Sequence, residues 1–207
     1  IGDFAFKGCL SISEIEIPPL VKSIGNNLFD GCVSLDSVTI PNSVSSIGDY
    51  AFRGCKVLTR VEISYSIKKI GSFAFDECAS LIKVSIPSTV ESIGICAFRK
   101  CHSLREISIP SSLEVIDECI FEECVSLKSI TIPSSVTSIG SKSFYRCVNL
   151  RNITYKMPSS LTSIDKDAFG KCSSLQNSSN TIIPNLKNID KNVYQNSNII
   201  DNLLYVK

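Results

Sequence analysis

Ten cysteines and a single histidine are the residues of this 207-residue chain best suited to redox, metal or nucleophilic chemistry. Cys9, Cys32, Cys55, Cys78, Cys101, Cys124 and Cys147 stand 23 residues apart, and Cys172 follows after 25. No pair among the ten has the C-x-x-C spacing of a zinc site. The column is also a poor disulfide framework, because each cysteine would meet two equivalent partners about 5 Å away. Each follows a Phe by three residues and precedes a Leu or Ile by three. In that setting a cysteine reads as a small buried hydrophobe with a weak S–H donor, and the column is expected to be reduced. Cys96 and Cys119 stand apart, five positions before Cys101 and Cys124 and one repeat from each other. Their spacing suits either an inter-coil disulfide or two semi-exposed, reactive thiols.

Grouping Cys96, Cys101, His102, Cys119 and Cys124 around a metal would take Cys101 and Cys124 out of the core, so no metal and no cofactor is expected. His102 shares a column with Leu10, Val33, Lys56, Ala79 and Val125 and reads as a surface histidine. It has no serine–carboxylate set to work with. The recurrent Ser-x-x-Ile-Gly segments contain neither G-x-G-x-x-G nor a Walker lysine, and Asp and Glu occur singly rather than as a converging pair. The chain therefore reads as non-catalytic.

The elements that position these cysteines are set by further columns. Phe6, Phe29, Phe52, Phe75, Phe98, Phe121, Phe144 and Phe169 precede each cysteine. Ile1, Ile24, Ile47, Ile70, Ile93, Ile116, Ile139, Ile164 and Ile189 are each followed by Gly or Asp. Pro18, Pro41, Pro87, Pro110, Pro133, Pro158 and Pro184 form another column, from which Ser64 is the missing member. In one unit, Leu35, Val38 and Ile40 alternate inward along a short strand that Pro41 ends. Val44 and Ile47 then point inward, and Gly48 is expected to permit the next bend. A single unit cannot bury its apolar side, so neighbours must stack. The expected fold is a β-rich repeat solenoid of 23-residue coils, with one parallel strand per coil and few or no regular helices. Nine strand candidates, from near Leu10 to Ile200–Tyr205, make a rod of roughly 40 Å.

Residues 1–175 form the regular array, which begins in mid-repeat at Ile1. That start suggests a longer natural chain or end-to-end self-association. From residue 176 the cysteine column lapses, Ser197 takes its place and Asn becomes frequent. Residues 176–207 read as degenerate last coils and a C-terminal cap, in which Ile200, Leu203 and Tyr205 still match strand positions.

These residues resemble the BspA-like, or Treponema-pallidum-type, leucine-rich repeat, whose motif runs C-x-x-L-x-x-I-x-I-P-x-x-V-x-x-I-G-x-x-A-F-x-x-C. The resemblance is close over about 1–175. It implies an interaction protein rather than an enzyme: members of that family are mostly surface proteins, some of which bind host extracellular-matrix proteins and mediate adherence. The expectation is a cell-surface or secreted adhesion protein, with an intracellular scaffold or regulatory module as the alternative that ten unpaired thiols suit.

Charge and composition narrow the partners. With 21 basic and 20 acidic residues the net charge is +1 and the pI about 7.6, which excludes the basic excess of a nucleic-acid binder. No apolar run approaches the ~18–20 residues of a membrane span. A mean hydropathy of +0.19 excludes disorder for most of the chain. Lys7, Asp30, Arg53, Asp76, Arg99 and Glu122 alternate in sign two residues before the cysteines, and Glu77, Lys100, Glu123 and Arg146 do so one residue before. Both columns read as structural ion-pair ladders. The outward strand positions are the candidate protein-binding face: Glu14, Arg60, Lys83 and Glu106 five residues after a cysteine, and Glu16 and Glu62 seven after. Arg105, Lys128 and Arg151, four after, add a basic stripe. These positions offer no aromatic anchor. Asn152 and Asn177 open glycosylation sequons that would cover one end of this face in a secreted chain.

Overall fold

The computed structural model describes residues 1–156, 159–175, 188–189 and 192–193. Fifteen short strands, β1–β15 in chain order, stack into two parallel ladders, with no α-helix among the described residues. One ladder contains the expected outward strands: β1 (Glu14–Glu16), β3 (Ser37–Thr39), β5 (Arg60–Glu62), β7 (Lys83–Ser85) and β9 (Glu106–Ile107), then β11 (Ser129–Ile132) and β13 (Asn152–Tyr155). Partners lie 23 residues apart, as in Val38↔Val61 and Val61↔Val84. The other ladder is additional to the expected strand. It contains β2 (Ser23–Ile24), β4 (Ser46–Ile47), β6 (Lys69–Ile70) and β8 (Ser92–Ile93), then β10 (Val115–Ile116), β12 (Ser138–Ile139), β14 (Ser163–Ile164) and β15 (Asn188–Ile189).

Between the ladders lies one continuous core. The Phe column from Phe29 to Phe169 is completely or almost completely buried, and from Phe6 onward adjacent rings stack with centroids 5.1–5.8 Å apart. Cys32 to Cys172 are buried beside them, each donating its thiol hydrogen to the carbonyl of the preceding coil's Phe, as from Cys78 to Phe52 at 3.1 Å. At the end of β5, Ser64 does the turn-forming work of the missing proline: Ile67 N–H donates to Ser64 O at 3.1 Å, as Val44 N–H does to Pro41 O at 3.0 Å.

Two backbone requirements set the corners. Each of the first eight coils has left-handed residues five and one before its cysteine. The latter site is glycine at Gly54 (φ +70°), but Glu77 (φ 61°) and Lys100 (φ 56°) occupy it in the next coils at some cost in strain. Gly25, Gly48, Gly71, Gly94 and Gly140, which follow column isoleucines, serve another purpose than the expected bend. A Cβ at Gly71 would sit 2.5 Å from the Gly48 carbonyl carbon, so the residue permits close approach of coils.

One interface departs from this packing. β8 does not pair with β10, nor β9 with β11, so both ladders break between the same two coils. The Phe98 and Phe121 rings are 5.8 Å apart there, against 5.1–5.5 Å elsewhere in the column. Asp117 places a side chain where the preceding coils have Gly, and Ile120 fills a site held by Ala51, Ala74 and Ala97. The gap is confined to the strands, since Cys96 N–H and Phe98 N–H still donate to Glu118 O and Ile120 O at 3.0 and 2.9 Å, and Leu28 in the Ile120 column leaves β1 and β3 paired. Asp165 in the same glycine column keeps its bond to Ile139 O at 2.9 Å.

Candidate interaction face

The alternation of each strand decides which side chains are free. In β5, Val61 enters the core while Arg60 and Glu62 are exposed; β7 repeats the pattern with Lys83 and Ser85 around Val84. Glu14, Glu16, Glu106, Arg105, Lys128 and Arg151 are likewise exposed. Arg60, Lys83, Arg105, Lys128 and Arg151 place one cation on each of five successive coils. Among the described residues, only Lys83 of these has a carboxylate in ion-pair range, Glu106 at 3.4 Å.

The face contains an anchor that the strand positions alone do not reveal. A groove of about 570 Å³ opens beside β5 and β7, lined by Arg60, Glu62, Tyr65, Ile82 and Lys83 over the buried Ile63 and Ile86. Tyr65 is 78% exposed and Ile82 is also exposed, so the groove joins an aromatic wall to charged rims. Tyr65 lies ten residues after Cys55, in a column otherwise held by Pro19, Asn42, Ser88, Ser111 and Ser134. That outlier is the sequence signal for the groove.

Other candidate groups serve the scaffold. The charge columns resolve into a Lys7–Asp30–Arg53 run and separate pairs instead of unbroken ladders. Arg53 donates twice to Asp30 (2.8 and 2.9 Å) and Arg99 twice to Asp76 (2.9 and 2.9 Å). Asp30 and Asp76 are buried, 4% and 2% exposed, and these hydrogen bonds raise the pKa of both arginines. On its other side Asp30 also pairs with Lys7 Nζ, at 3.2 Å. Glu77 and Glu123 pair with Lys100 and Arg146, each at 2.9 Å, and the Lys100 hydrogen bond lowers the pKa of Glu77.

Cys96 and Cys119 are free thiols on adjacent coils and only 8% exposed, more buried than the expected semi-exposed pair. They lie in the left-handed column where the Tyr50 and Phe73 rings stack at 4.8 Å. Interaction between the two neighbouring thiols lowers the pKa of Cys96 and raises that of Cys119. His102 is exposed, with Nε2 4.0 Å from Glu123. Among the described residues no three or more His, Cys, Asp or Glu side chains converge on a metal site, and no helix is long and apolar enough to cross a membrane. Asn152 is exposed at the start of β13; Asn177 and the matches at Ile200, Leu203 and Tyr205 lie outside the described residues.

These features define a parallel β-solenoid that buries its cysteines and presents a rigid strand face: a repeat scaffold. The chain belongs to the BspA-type leucine-rich repeat family, whose model matches residues 1–124 and 68–201 with six copies. A leucine-rich repeat protein from Bacteroides ovatus is similar over 98% of this chain and 56% of its own, with 31% identity and a TM-score of 0.81. The Treponema pallidum leucine-rich repeat protein is similar over 72% of this chain and 70% of its own, with 30% identity and a TM-score of 0.68. A leucine-rich cell surface protein from Faecalibacterium prausnitzii is 26% identical over 98% of this chain and 64% of its own, with a TM-score of 0.54. The chain thus spans little more than half of the Bacteroides protein. No curated protein matches it in sequence.

Proposed function

We propose that this array is a non-catalytic protein-interaction module displayed at a cell surface, where its strand face binds host or matrix proteins and gives adherence. The observation that carries this reading is the Tyr65 groove beside an exposed row of cations. It combines an aromatic anchor with a charged rim, the composition of a protein-binding hot spot. The Faecalibacterium relative is described as a cell surface protein, which supports the location. The ten free cysteines favour a second reading, an intracellular scaffold, because a reducing compartment keeps thiols unpaired. Labelling intact source cells with a membrane-impermeant biotin reagent separates the two. Recovery of labelled array, with a cytosolic control unlabelled, is the expected result. An array labelled only after lysis would overturn surface display and leave the scaffold.

A further inference from the structure

We infer that the strand face takes an extended acidic segment of a protein partner, with an aromatic or aliphatic residue of that segment seated in the groove beside Tyr65. This rests on the reading that the face binds protein, and it adds the chemistry and placement of the bound segment.

The first observation is the row of cations. Arg60 and Lys83 share one register column, whose next member is Glu106, and Arg105, Lys128 and Arg151, one position earlier in the register, place a cation on each of the next three coils. At the strand spacing they form a track of about 19 Å. Arg60 and Lys83 are direct register partners, an arrangement in which like charges repel. Away from this face the chain does the opposite, setting Asp30 between Lys7 and Arg53, Glu77 against Lys100 and Glu123 against Arg146. The one carboxylate engaged on the track, Glu106, is itself largely exposed and exchanges readily for a partner's.

The second observation selects the kind of anion. The groove lies at the Arg60 end of the track, with Tyr65 and Ile82 exposed above Ile63 and Ile86. A sulfated polysaccharide would satisfy the cations but has no side chain to fill an apolar groove. A protein segment supplies both. The exposed Glu14 and Glu16 on the first coil repel an acidic segment at the other end. The segment therefore lies from the groove toward Arg151, a direction set by repulsion as well as attraction.

A fluorescein-labelled peptide of about 12 residues, one Phe followed by a run of Glu, tests this on the intact chain by fluorescence anisotropy. The expected result is saturable binding that weakens as salt rises. Tyr65→Ala and the double variant Lys128→Glu/Arg151→Glu should each weaken it about tenfold. Lys69→Glu, on the other ladder, should leave it unchanged, and thermal melts should show all variants folded. Equal binding after replacing the peptide's Phe by Ser, or binding of heparin but not of the peptide, would overturn the inference. If an immobilised matrix protein is captured equally by wild type and Lys128→Glu/Arg151→Glu, the acidic segment fails while protein binding stands. If none is captured at all, protein binding fails with it.

Discussion

Cysteine suits its column because it meets two demands at one point. It fills a small space beside the stacked rings, and its hydrogen reaches a Phe carbonyl at 3.0–3.3 Å in seven successive coils. Burial pushes these thiols up, Cys172 to about 12 and Cys55, Cys78, Cys101, Cys124 and Cys147 further. An unfolded thiol ionises near 8.5. The folded state therefore holds protons that the unfolded chain releases, and the associated stability is complete below that pH and lost as pH rises. The melting temperature should fall steeply above about pH 9, with a shallower slope in Cys101→Ala; a flat profile from pH 8 to 10 would contradict this account. Ser64 is the opposite case, a polar residue where the other coils have proline. Its hydroxyl is buried without a hydrogen-bond partner. Ser64→Pro should stabilise the chain by about 1 kcal/mol, by removing that group and restricting the unfolded backbone. Denaturant titration would read this as a raised midpoint.

At the scale of elements, a strand of two or three residues has little stability of its own, and each ladder depends on the coils above and below. The interface between β8 and β10, where the strand pairing is lost, should accordingly open first. Arg105 N–H donates to Ile82 O at 3.0 Å, and Arg151 N–H to Lys128 O at 2.8 Å. Lys128 N–H, between them in the same column, has no backbone acceptor among the described hydrogen bonds, nor does Asp117 N–H, whereas Gly94 and Gly140 N–H donate at 2.9 and 2.7 Å. Hydrogen exchange should find Asp117 and Lys128 at least about tenfold faster than Gly140 and Arg151, the loss expected for one backbone hydrogen bond. Equal protection would show that the broken ladders carry no energetic consequence. The Cys96–Cys119 pair spans this same interface, so its thiols should react with a small disulfide reagent before the column thiols do.

For the molecule as a whole, stacking of coils was legible because the Cys, Phe and Ile columns repeat at one period and each column marks a buried place. The second ladder was not, since two residues such as Ser46–Ile47 are too short to show alternation. The left-handed corners were masked by Phe4, Tyr50, Phe73 and the two odd cysteines, none of which signals positive φ. Of the candidate face, the exposure of the strand positions five and seven after each cysteine was legible from their period of two. Tyr65 was not, because it lies beyond the strand where the proline column lapses. The central claim is that this face, rather than the opposite ladder, makes the molecule's contacts. The most direct measurement compares capture of a matrix-protein panel by wild type, by Tyr65→Ala/Lys83→Ala and by Lys69→Ala/Lys166→Ala, with matched melting temperatures. The account predicts about tenfold weaker capture by the first variant and wild-type capture by the second; the reverse order would contradict it.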